Sequence, residues 1–243
     1  MNKLIVANIK MNKNSLEMND YLKALNEAPK SNEIAVLSPM PFLFLSKLYT
    51  NLSYGVQNFY FQNNGAYTGE VNLDMLEFFD VKYALVGHSE RRKTFKESNS
   101  LINKKLLKAL ELGVTPILCI GESLGQTKSA NLTKAYLKRQ LTLALRNVRV
   151  SQLEDIIIAY EPTYAIGAEN PADIIAVESN IALIRELISA RTKNEVHVRV
   201  IYGGSLNAQN YQTFLNSDSI DGLLVGRASL DEESFKEMVK WER

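Results

Sequence analysis

A chain of 243 residues with 46% hydrophobic content can bury one large core or two small ones. Its 28 basic and 27 acidic residues leave a net charge of +1, which favours neither nucleic acid nor an anionic membrane as a partner. A single cysteine, Cys119, excludes an intrachain disulfide and suits a reducing compartment; Met1–Asn8 is too short on apolar residues for a signal peptide and no apolar run approaches a membrane span, so a soluble, cytoplasmic protein is expected.

In chain order, short apolar runs at Leu4–Asn8, Ile34–Ser38, Tyr54–Gln57, Tyr83–Gly87, Pro116–Ile120, Ile156–Tyr160, Val198–Tyr202 and Ile220–Val225 predict eight strands. Several are too continuously apolar to have a wet face, which suits parallel strands covered on both sides. Helical patterns lie between them near 15–28, 42–49, 73–79, 99–112, 131–146, 171–191 and 208–215, with a last one near 231–241. Asn170-Pro171-Ala172-Asp173 predicts an N-cap at Asn170, a first-turn proline and an acidic third position, and Gly113 predicts the end of the helix at 99–112. Strands alternating with helices, without a linker or low-complexity tract, predict an α/β fold: a single-domain (β/α)8 TIM barrel over residues 1–243. An open doubly wound sheet is the weaker alternative, since the turn after the first strand lacks a glycine-rich dinucleotide fingerprint.

Barrel enzymes keep their chemistry at the C-terminal ends of the strands. Asn8 and Lys10 stand at the end of the first strand, two apart and so on the same side. Gly87-His88-Ser89-Glu90-Arg91 ends the fourth strand, Tyr202-Gly203-Gly204-Ser205 the seventh and Gly226-Arg227-Ala228-Ser229 the eighth. The sixth ends in Glu161, which Pro162 keeps out of the helical region, placing a carboxylate where a strand hands over to a loop. Glu161 there suits a base, and the apolar residues Tyr164 and Ile166 suit a lid over 162–169. Each residue alone has an ordinary reading: Lys10 a surface charge, His88 a core histidine, Gly203-Gly204 a tight turn. His197, at the entrance of the seventh strand, is expected to be structural. Two histidines at opposite rims and no carboxylates at ligand spacing argue against zinc, while composition leaves a magnesium site open.

These residues, with Gln57-Asn58, Gly65-Ala66-Tyr67-Thr68-Gly69-Glu70, Pro116-Ile117-Leu118-Cys119-Ile120-Gly121-Glu122 and Ala165-Ile166-Gly167, occur in the order and at the strand ends of one family. From Asn8-Ile9-Lys10-Met11-Asn12 to Gly226-Arg227-Ala228-Ser229-Leu230, the chain resembles the triosephosphate isomerase family. The resemblance implies interconversion of dihydroxyacetone phosphate and D-glyceraldehyde 3-phosphate, a step of glycolysis and gluconeogenesis, with neither metal nor organic cofactor. It implies the family's known division of labour, a glutamate base beside a neutral histidine under a closing loop. Glu161 would then move the proton, Lys10 and His88 would stabilise the enediolate, and Asn8 and Glu90 would hold Lys10. Asn8, Lys10, Gly167, Ser205, Gly226 and Arg227 would bind the substrate, the last four at its phosphate. A homodimer is implied as well, with the loop carrying Thr68 inserted near the partner's active site.

Three departures from the family stand in the sequence. Only Ala168, Glu169 and Asn170 separate Gly167 from Pro171, so the lid over 162–170 is short, and Tyr164 replaces its usual tryptophan. Arg227 replaces a second glycine, and Ile9 an aromatic residue. They leave an alternative open, a phosphosugar-binding barrel with weak or no turnover because of the short lid. A third reading is a phosphosugar-processing barrel with another substrate.

Overall fold

The structure, a computed structural model, describes residues 2–168, 170–192 and 196–242. Glu169 of the expected lid and Glu195 at the entrance of the seventh strand lie outside the described residues. Eight strands are present: β1 Leu4–Asn8, β2 Glu33–Ser38, β3 Ser53–Val56, β4 Val81–Val86, β5 Thr115–Ile120, β6 Ile157–Tyr160, β7 Arg199–Tyr202 and β8 Gly222–Val225. They form a closed barrel in sequence order, and every neighbouring pair is parallel, including β1 with β8. The expected (β/α)8 barrel is therefore the observed fold, and each strand lies within two residues of its expected bounds.

The continuous apolar character of the strands follows from two cores. Side chains alternate across a strand. In β1, Leu4 and Val6 point into the barrel with Leu85, Cys119, Ala159 and Leu224, while Ile5, Ala7 and Ile9 belong to the layer under the helices. Burial of Ile9 in that outer layer explains why an aliphatic side chain is accommodated between Asn8 and Lys10. One more step of the alternation takes the inward positions to Asn8, Gly87, Gly121, Glu161, Gly203 and Gly226. At these six positions of the C-terminal mouth stand one carboxamide and one carboxylate among glycines, and the missing side chains leave a hollow.

The surrounding helices are α1 Ser15–Glu27, α2 Ser89–Lys93, α3 Asn99–Glu111, α4 Ala130–Ala144, α5 Ile174–Thr192, α6 Tyr211–Leu215 and α7 Glu232–Lys240. Asn14 and Glu17 form a capping box on α1. Gly113 ends α3 as expected: at φ 70° it lets the Val114 N–H reach the Ala109 carbonyl at 2.9 Å. Two expectations are corrected. The segments after β2 and β3 are 3-10 turns, Met40–Lys47 and Asp74–Phe79, the second closed by Asp80 in the left-handed region. In addition, α5 starts after Asp173 rather than Asn170, because the Ala172 N–H is spent on the Tyr202 hydroxyl (3.2 Å) and the Asp173 carboxylate caps Ala176 (3.1 Å).

Candidate active site

The nine residues expected to act on or bind substrate, Asn8, Lys10, His88, Glu90, Glu161, Gly167, Ser205, Gly226 and Arg227, line one cavity of about 750 Å³ at the C-terminal mouth. Lys10 reaches it by leaving the strand conformation: at φ 55° the backbone turns. Asn8 Oδ1 accepts the Lys10 N–H (3.3 Å), and Gln57 Nε2 donates to the Lys10 and Leu37 carbonyls (3.0 and 2.9 Å). The ammonium of Lys10 contacts Glu90 Oε1 at 2.6 Å. Partial burial would raise the Glu90 carboxyl, but the Lys10 ammonium, through its hydrogen bond and its charge, holds it below the usual carboxylate range.

His88 follows Gly87, whose φ of 73° swings the chain out of β4 into α2. It caps that helix: Nδ1 accepts the Glu90 N–H at 3.3 Å. A ring nitrogen that accepts a hydrogen bond carries no proton, so the imidazole is neutral with its proton on Nε2. That nitrogen lies 3.3 Å from Glu161 Oε1, and Glu161 Oε2 accepts the Ser89 N–H at 3.3 Å. Both groups are nearly inaccessible, His88 at 5% and Glu161 at 2%. A buried carboxylate thus faces a neutral hydrogen-bond donor, with an ammonium on the same cavity wall.

Glycines make room for this carboxylate. A Cβ at Gly203 would stand 2.9 Å from Glu161 Cγ, and one at Gly121 would stand 1.8 Å from the Glu161 carbonyl oxygen. Sequence reasoning had Gly203 in a turn and missed this space-making role; the parity of β5 and β7 was the signal that could have found it. The Ser89 N–H and the Gln57 carboxamide were also missed, because contacts across the barrel leave no mark on local sequence. Cys119, inside the barrel, is a buried thiol pushed far up by desolvation and by the nearby Glu161 charge, so it stays protonated.

The loop after β6 is held at both ends. The Thr163 N–H and hydroxyl donate to the Glu122 carbonyl (2.8 and 3.0 Å), and Tyr202 receives the Ala172 N–H. Between these anchors Gly167 has φ 69°, and the Ala168 carbonyl accepts the Ser205 hydroxyl at 2.7 Å. Arg227 is exposed and opens a 3-10 turn, Arg227–Leu230, directly after Gly226. His197 lies at the opposite rim, as expected, in a cavity of about 780 Å³. Charges there face each other, as in Arg185 with Asp221 at 2.7 Å. No three His, Cys, Asp or Glu side chains among the described residues gather as a metal-binding group.

A family model described as "Triosephosphate isomerase" matches residues 3–242. The chain belongs to the triosephosphate isomerase family. Among its relatives, the triosephosphate isomerase of Aquifex aeolicus (strain VF5) is 42% identical over 249 residues, spanning 98% of this chain and 99% of that one. The triosephosphate isomerase of Alkaliphilus oremlandii (strain OhILAs) is 39% identical over 239 residues, with 96% of each chain covered. That of Francisella tularensis subsp. novicida (strain U112) is 37% identical over 245 residues, covering 98% of this chain and 96% of its own. For this member of the triosephosphate isomerase family, no helix among the described residues is long and apolar enough to cross a membrane.

Proposed function

We propose that this chain isomerises dihydroxyacetone phosphate and D-glyceraldehyde 3-phosphate through an enediolate, as a cytoplasmic, single-domain, homodimeric enzyme that needs neither metal nor organic cofactor. The observation that carries this reading is the Glu161 carboxylate 3.3 Å from the protonated nitrogen of His88, in one cavity with the Lys10 ammonium. A proton next to a carbonyl is weakly acidic, so the barrier falls mainly by stabilising the oxygen that becomes negative as it leaves. Lys10 supplies a fixed positive charge and His88 Nε2–H a donor able to serve either substrate oxygen. Each such donor contributes about 2.7–4 kcal/mol to the transition state.

Glu161 Oε2 accepts the Ser89 N–H, and Oε1 lies 3.3 Å from His88 Nε2. Substrate takes over the His88 donor, and the carboxylate turns to the carbon, removes its proton and returns it to the neighbouring carbon. Backbone N–H groups at Gly167, Ser205 and the Gly226-Arg227 turn receive the phosphate dianion, with the Arg227 guanidinium at the rim. Binding energy from this non-reacting end closes the loop over 162–170 and excludes water.

A homodimer is supported by the loops after β1 to β4, which are adjacent in the barrel. Met11 is 97% exposed, Phe78 71%, Leu48 64% and Phe95 63%, alongside the exposed loop that carries Thr68. Burying such side chains contributes about 1.5–3 kcal/mol each, so these loops suit a partner copy better than water.

A coupled assay with glyceraldehyde 3-phosphate, in buffer free of added metal and cofactor, tests the reading. Rapid isomerisation is the expected result. Binding of a phosphate-bearing enediolate mimic without turnover would instead leave a phosphosugar-binding barrel whose short lid does not support catalysis, and neither activity nor binding would point to another substrate.

A further inference from the structure

Lys13 has φ 65°, a left-handed conformation that favours glycine over lysine. Lys10 shares this geometry and faces the cavity; Lys13 does not line it. A side chain held in a rare backbone conformation asks what it is held for. The ammonium of Lys13 donates to the Leu230 carbonyl at 2.9 Å and lies 4.5 Å from the centre of the buried Tyr21 ring on α1. Leu230 is the last residue of the 3-10 turn that begins at Arg227, and its carbonyl has the partial negative charge of a helical C-terminus. The following residue, Asp231, caps α7; hydrogen bonds from Ser234 lower its carboxyl, and the Lys13 charge adds to that effect.

The same two chain segments also approach each other at the cavity. A Cβ at Gly226 would stand 3.7 Å from Lys10 Nζ. The loop after β1 and the turn after β8 therefore meet twice, once at Lys10 beside Gly226 and once at Lys13 on Leu230.

We propose that Lys13 is a positioning residue for the phosphate end of the site. It fixes the turn Arg227–Leu230 against the loop that carries Lys10, so that the backbone donors of the turn and the ammonium keep one spacing. Tyr21 serves as the platform that directs the lysine. The inference rests on the reading above that the Gly226-Arg227 turn receives the substrate phosphate, and it adds a residue that never touches the ligand.

Three variants and two substrates test it. Lys13→Met keeps the side-chain length but not the donor, Lys13→Arg restores a donor, and Lys13→Gly removes the donor together with the unfavourable backbone conformation. For Lys13→Met, loss of a charge-assisted hydrogen bond should raise KM for glyceraldehyde 3-phosphate and the inhibition constant of inorganic phosphate about tenfold. Its kcat/KM for glyceraldehyde, which has no phosphate, should stay at the wild-type value. Lys13→Arg should recover most of the loss. Lys13→Gly should show the same phosphate defect while unfolding at no lower temperature than Lys13→Met. An unchanged phosphate inhibition constant in Lys13→Met would overturn the proposal, as would equal losses on both substrates that follow the melting temperature. A wild-type enzyme inactive on glyceraldehyde 3-phosphate would overturn the proposed function itself, whereas an active wild type with an indistinguishable Lys13→Met variant would remove this inference alone.

Discussion

Shortening Glu161 to aspartate withdraws the carboxylate by one methylene from a site where reach decides the rate. Glu161→Asp should lower kcat about a hundredfold with little change in phosphate inhibition, because the phosphate end is untouched. Unchanged turnover in that variant would mean the base lies elsewhere. The glycine at 121 is tested differently: a methyl there must displace the Glu161 carbonyl, since its Cβ would sit 1.8 Å from that oxygen. Gly121→Ala should therefore lower both the melting temperature and kcat, at a cost of about 1–3 kcal/mol of stability, and thermal unfolding beside the coupled assay measures both. Glu161, Lys10 and His88 were legible in the sequence because each stands at a strand end, where chain order alone predicts convergence. Ser89 and Gln57 were not, since their roles depend on which atoms face which across the barrel.

Among the elements, the strands were the more legible because each apolar run is long enough to cross the barrel and is bounded by polar or turn residues. Helix starts were less so. The cap of α5 fell three residues late because Tyr202, thirty residues on, claims the N–H of Ala172. At the N-terminal rim, strands β2, β4 and β7 are joined by one carboxylate: Glu33 pairs with Lys82 at 2.8 Å and Arg199 at 3.2 Å, and also accepts the Tyr83 hydroxyl. Burial would raise the Glu33 carboxyl, yet these donors together hold it down from 4.5 to about 2. A carboxyl lowered on folding stabilises the fold above its unfolded value and loses that contribution as pH falls through the folded one. The contribution of Glu33 is thus present above about pH 4.5 and fades toward pH 2. Glu33→Gln should be less stable than wild type at neutral pH and lose less stability across that acid range, which urea unfolding at a series of pH values would measure. Parallel stability curves for the two proteins would contradict the assignment.

For the whole molecule, the barrel brings residues from position 8 to position 227 to one mouth, and this closure makes scattered residues a site. Composition alone could not have chosen between one domain and two; the regular alternation of eight strands did. The apolar side chains left on the loops after β1 to β4 belong to this scale as well. Sedimentation should show a dimer at micromolar concentration, and replacing Phe78 and Phe95 together with aspartate should shift it toward monomer. A wild-type protein that sediments as a monomer would remove the dimer. The central claim, that Glu161 takes a proton from one carbon and gives it to the next, is tested most directly by following that hydrogen. Glyceraldehyde 3-phosphate turned over in heavy water should yield ketone product carrying deuterium on its hydroxymethyl carbon, with Glu161→Asp slowing product and label together. Labelled product formed by Glu161→Asp at the wild-type rate would contradict it.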